Sequence, residues 1–273
     1  NTNPGLFSVA PAVAPNGTLT YTIAPNANGD ATVTLKIHDN GGTTNGGVDE
    51  SATQSFLITV TPVNDAPSFA KGADQTVLED AAAQSVSGWA TSITAGPADE
   101  AGQVLTFTTT NDNNALFSVQ PSVATDGTLT YTLAPNAYGS ATVSVALKDN
   151  GGVANGGVDI TAAQTFTITV TPVNDEPSVT KGADQTVNEN AGAKTLAMWA
   201  SAISAGPNEA SQAVNFIVSN DNNALFSVQP AVAANDALTY TPAADAFGTA
   251  TGTGTIHDDG GTTNGGDDTS APQ

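Results

Sequence analysis

The chain has 273 residues, with 26 acidic side chains against five Lys and no Arg, and its formal net charge of −21 excludes the basic footprint on which nucleic-acid binding depends. It has no Cys, which excludes a disulfide framework and a thiolate metal site. No apolar run approaches the roughly 20 residues of a membrane helix.

Thr, Ala, Asn and Gly abound while Leu, Glu and Lys are scarce, a balance that favours short strands joined by turns over long helices. The chain opens with Asn1-Thr-Asn-Pro4, so any signal peptide lies outside these residues. Along the chain one stretch recurs: Phe56-Leu-Ile-Thr-Val-Thr-Pro-Val-Asn-Asp-Ala-Pro67 returns 110 positions later as Phe166-Thr-Ile-Thr-Val-Thr-Pro-Val-Asn-Asp-Glu-Pro177. Each copy reads as a strand with alternating apolar and Thr faces that runs into a Pro-bounded linker. Leu6-Phe-Ser-Val9, Leu116-Phe-Ser-Val119 and Leu225-Phe-Ser-Val228 give offsets of 110 and 109, with the one-residue loss just after Pro207. The repeat therefore divides the chain into 1–65 (the back part of a first unit), 66–175 (a complete unit) and 176–273 (a third unit lacking its last strand).

In the complete unit the alternation predicts strands at 75–78, 84–89, 103–109, 116–120, 127–133, 141–147 and 166–170. Leu105, Phe107, Leu129, Tyr131, Leu133, Val143, Val145, Leu147, Phe166, Ile168 and Val170 are the inward set. Single-sided strands need a facing sheet to bury them, so the expected fold is all-β, a tandem array of seven-stranded Greek-key sandwiches of immunoglobulin type. In the third unit Ala250, Gly252 and Gly254 stand where the second has apolar residues, so a weaker, more mobile third domain is expected.

Lys148-Asp-Asn-Gly-Gly152, Phe166-Thr-Ile-Thr-Val170 and Val173-Asn-Asp-Glu-Pro177 together resemble the closing third of a cadherin repeat. The whole chain resembles the cadherin-like tandem repeats of large bacterial surface and secreted adhesins. That resemblance implies immunoglobulin-like domains stiffened by calcium at their junctions. It also implies the ligands: Glu79, Asn174, Asp175, Glu209 (with Asn208 beside it) and Asp258 at the second junction, and Asn64, Asp65, Asp99, Glu100 and Asp149 at the first. Ca²⁺ takes about six to eight oxygens, which no single loop offers but two domain ends and a linker do. The chain departs from the family at Ala134-Pro-Asn-Ala-Tyr-Gly139, where the carboxylate-rich Asp-Arg-Glu motif would stand, and where Asp99 becomes Asn208. Fewer and weaker ions per junction are therefore expected. The competing reading is that Asn and Asp in Gly-rich loops serve turn chemistry alone.

Other candidates read as structural. The loops 39–49, 149–159 and 258–268 lack the alternating acids and terminal Glu of an EF-hand. His38 and His257 correspond to Lys148, a substitution no metal ligand tolerates, and the complete unit has no His from which a Ser/His/Asp set could be assembled. Trp89 and Trp199 hold equivalent places and are expected to pack rather than stack on sugars. Asn16-Gly-Thr18 is a lone sequon. The sequence thus points to a non-catalytic extracellular stalk, adhesin or filament whose partners are neighbouring repeats or identical subunits. Two alternatives stay open: a module binding a surface glycan or protein through its long loops, and a filament subunit that exchanges strands across its open sheet edges.

Overall fold

The computed structural model describes all 273 residues. In the second repeat, one sheet runs in the order Gln75–Leu78, Gln164–Thr171, Gly139–Lys148, Thr106–Asn111, and a facing sheet runs Phe117–Val123, Leu129–Leu133, Gln84–Val86. Neighbours pair antiparallel except Gln75–Leu78, which lies parallel to the last strand with Val77 opposite Val170. Strands adjacent in space but distant in sequence make this a Greek-key sandwich.

The core follows from alternation. Val143, Val145 and Leu147 point inward from one sheet and are fully buried, as are Leu129 and Tyr131 from the other. Sixteen buried residues join into one cluster, with Leu105 and Phe107 partly buried against it. The outward positions of the same strands carry Thr and Ser, as expected for a sheet with one solvated face.

Two strand expectations are corrected, and one strand pair was not foreseen. The strand expected over 84–89 stops at Val86, because Gly88 takes a left-handed φ of 65° and turns Trp89 into the core. The indole ring lies 4.4 Å from that of Phe166, and its Nε1 donates to the Ala73 carbonyl at 3.0 Å. A Cβ on Gly72 would stand 2.5 Å from that ring, so only glycine fits there. The chain resumes as Thr91–Thr94, paired with an earlier segment, Ser68–Ala70, that alternation did not reveal. The strand expected from 103 begins at Thr106, because Gln103 and the Val104 amide are engaged elsewhere, by Asn64 and Asn150.

In the third repeat Gly252 and Gly254 offer no side chain where Val143 and Val145 are buried in the second. Gly252–Asp258 pairs with Val214–Asn220 and also exchanges backbone hydrogen bonds between Gly254 and Gln273, and the large buried apolar side chains are Leu238, Tyr240 and Ile256. The first repeat contributes the pairs Phe7–Val13 with Leu19–Ile23 and Gly29–Leu35 with Gln54–Val60, around Leu6, Phe7, Ala31, Val33 and Ile58.

Candidate functional site

Both linkers are latched into the following repeat by one Asn. Asn174 donates through Nδ2 to Asp258 Oδ1 at 3.0 Å and to the Asp267 carbonyl at 2.8 Å, and its Oδ1 accepts from Gln212 Nε2 at 2.8 Å. Asn64 repeats the pattern with Asp149 at 3.0 Å, the Val158 carbonyl at 2.7 Å and Gln103 at 2.7 Å. The Gly-rich loops are the sockets for these side chains. A Cβ on Gly151 or Gly260 would fall 1.7 Å from the Asn64 or Asn174 Oδ1, and a Cβ on Gly157 or Gly266 would press on the same Asn at 3.0 and 2.9 Å. Turn chemistry alone does not demand glycine at Gly151 and Gly260, neither of which has a positive φ. Proximity of the linker does.

The carboxylates surround this latch. Glu100 accepts from the Asp65 amide at 2.9 Å, and Glu209 accepts from the Asp175 amide with both oxygens, at 3.3 and 3.2 Å. Glu79, contributed by the preceding repeat just after its strand, accepts from the Val173 amide. Three separate pieces of chain therefore bring acids to the second junction: Glu79 from the second repeat, Asp175 from the linker, and Glu209 and Asp258 from the third. At the first junction the linker and the following repeat bring Asp65, Glu100 and Asp149.

Nine buried side-chain polar atoms lack any hydrogen-bond partner. Two are the hydroxyls of Tyr131 and Tyr240; the other seven all lie at the junctions. They are Glu79 Oε2, Asp175 Oδ2, Asp258 Oδ2 and Gln212 Oε1 at the second, and Glu100 Oε2, Asp149 Oδ2 and Gln103 Oε1 at the first. All seven are acceptors, and five are carboxylate oxygens. Leaving one buried acceptor unpaired costs on the order of 1–3 kcal/mol, more for a charged group, so these junctions hold acceptors short of donors or positive charge. As the side chains stand, no three Asp, Glu, His or Cys groups already close around one point.

The titration behaviour agrees with the geometry. Burial, then repulsion from Asp175, Asp80 and Glu209, raises the Glu79 carboxyl against the pull of the Val173 amide. Burial and Asp80 raise Asp175; burial, Asp175 and Asp258 raise Glu209. Each group carries the signature of a carboxylate short of compensating positive charge.

The remaining residues singled out from sequence fall in different places. Asn64 and Asn174 spend their side chains as latches rather than turning an oxygen to the acids. Asp99 accepts from Asn28 of the preceding repeat at 2.7 Å, and Asn208 reaches back to the Asn136 carbonyl at 2.6 Å, so both bridge repeats outside the carboxylate group. His38 and His257 sit beside Asp49 and Asp268 at the rims of their loops, in the place where Lys148 pairs with Asp159. Sequence reasoning missed Gln103 and Gln212, although their recurrence at the repeat spacing amid changed neighbours was a usable signal. It also missed Asp80, whose Oδ1 accepts from the Asn136 amide at 2.9 Å.

No family model and no curated protein matches the chain. Among solved structures it is similar to mouse protocadherin-24 EC1-3, at 14% identity over 100% of this chain and 86% of that one, with a TM-score of 0.45. Drosophila N-cadherin EC1-4 is similar at 12% identity over 95% of this chain and 63% of that one, with a TM-score of 0.37. Domains 4 and 5 of the S-layer protein SbsC are similar at 16% identity over 62% and 66%, with a TM-score of 0.29. No helix of the chain is long and apolar enough to cross a membrane.

Proposed function

We propose that this chain is a non-catalytic structural segment of an extracellular stalk, adhesin or filament, in which repeats 1–65, 66–175 and 176–273 are stiffened by calcium at their junctions. One observation carries the reading: Glu79, Asp175 and Asp258, drawn from two repeats and the linker between them, each bury a carboxylate oxygen that has no partner. Calcium fits this donor set because it is a hard cation that prefers carboxylate and amide oxygens. At the second junction Glu79, Asp175, Glu209 and Asp258 would hold it, with the Gln212 carbonyl oxygen beside them. At the first, Asp65, Glu100 and Asp149 would do so, with Gln103. Bound there, the ion supplies the positive charge that the orphaned oxygens lack and ties two repeats to one point. The residues themselves hold the linker in register through Asn64 and Asn174.

Thermal melting of the 273-residue chain in calcium and in excess chelator tests the proposal. A ligand that binds only the folded state raises the transition by mass action, by about 2.7 kcal/mol at a hundredfold excess over Kd. A higher transition in calcium supports the reading, and superimposable transitions refute it.

A further inference from the structure

We infer that the second junction also carries a metal-independent clasp, formed by the turn Pro135–Tyr138 of one repeat and Asn208 of the next. Its bonds run from repeat to repeat without passing through the linker. Asn208 Nδ2 donates to the Asn136 carbonyl at 2.6 Å, and the Tyr138 hydroxyl donates back to the Asn208 carbonyl at 3.3 Å. Asp80 fixes the near side by accepting from the Asn136 amide at 2.9 Å. The backbone is set for this exchange. Asn136 and Asn208 both adopt left-handed φ, 52° and 60°, which Asn accepts more readily than most side chains.

The shortened turn after Pro207 places Asn208 in this role. In the second repeat the equivalent turn is one residue longer and forms the 3₁₀ segment Ala98–Glu100, with Asp99 carrying a charge to Asn28. In the third the extra residue is gone and the charge with it. What remains is an amide that donates to a carbonyl and a carbonyl that accepts from a phenol, neutral groups that pair without any ion. None of the atoms in these two cross-repeat bonds is among the orphaned oxygens of the carboxylate group. The two linkages therefore lie side by side, Glu79 and Glu209 in one and their sequence neighbours Asp80 and Asn208 in the other. The clasp shares its junction with the proposed calcium site but does not depend on it.

The chain has no Cys, so a single pair of spin labels can be placed at Thr110→Cys and Ser219→Cys, two exposed and equivalent positions in adjacent repeats. The width of the inter-label distance distribution reports how freely the repeats swing. Asn208→Gly deletes the clasp side chain while keeping a residue at home in the left-handed conformation, and a far-UV spectrum matching the native one checks its fold. In excess chelator the native clasp is expected to give the narrower distribution, and the Asn208→Gly chain the broader. Equal widths under chelator overturn the clasp. Calcium's own effect is read separately, as the difference between calcium and chelator in the native chain, so either idea can fail alone.

Discussion

The two junctions share a latch and differ in their charges. At both, an Asn of the linker plugs a glycine-walled socket and a Glu of the following repeat accepts from the linker amide. At the second, Glu79 of the preceding repeat also accepts from the linker, and Asp175 carries a buried, unpartnered oxygen. Asp65, the counterpart of Asp175, is exposed. The latch thus sets where the linker lies, and how deeply the linker Asp is buried beside it differs between the junctions.

The largest expected effect tests what the junctions have in common. Gly151→Ala and Gly260→Ala each drive a methyl group into an Asn side chain, and overpacking of this kind costs about 1–3 kcal/mol. Each should unlatch its own linker with or without calcium, read by limited proteolysis at residues 62–65 and 172–175 respectively. Cleavage no faster than native would dismiss the socket.

A second pair of variants separates the junctions by sign. Glu79→Gln removes a buried, uncompensated charge, so in chelator it should stabilise the chain, and in calcium it should destabilise it, by about 1–3 kcal/mol each way. Glu100→Gln should show the same inversion at the first junction. Calorimetric melting in the two buffers reads both, and a Glu79→Gln effect of the same sign in each would defeat the charge argument.

The pH response is smaller again. Glu79, Asp175 and Glu209 have carboxyls raised above their ordinary values of 4.5, 3.8 and 4.5 in the folded chain. A raised folded pKa contributes stability that is full below the ordinary value and fades as pH rises through the folded one. In chelator, acidification from neutrality towards those values should therefore raise the second junction's stability. In calcium it should lower it, because protons then compete with the ion. Melting as a function of pH in the two buffers checks the crossing of trends.

The smallest effect belongs to the exposed Asn28–Asp99 bond. Asn28→Ala should cost no more than about 1 kcal/mol, confined to the first junction, as read by linker proteolysis there.

The strands and the inward set Val143, Val145, Leu147, Phe166, Ile168 and Val170 were legible in the sequence because alternation is a local signal and one face of each sheet is buried. What stayed hidden depends on partners far away in the chain. Gln84–Trp89 reads as one strand until the core claims the indole. The acids of the junctions were named from the resemblance to cadherin repeats. The reason for Gly151 and Gly260 was not legible, since the side chain that forbids a Cβ there lies more than eighty residues earlier.

The central claim is that the stranded oxygens of the second junction bind calcium, and calorimetric titration of the native chain beside a Glu79→Gln, Asp258→Asn double variant measures this most directly. The account predicts saturable calcium binding in the native chain, with the second junction's contribution abolished in the variant while that of the first junction persists. No binding heat in the native chain, or identical isotherms for the two proteins, would contradict it.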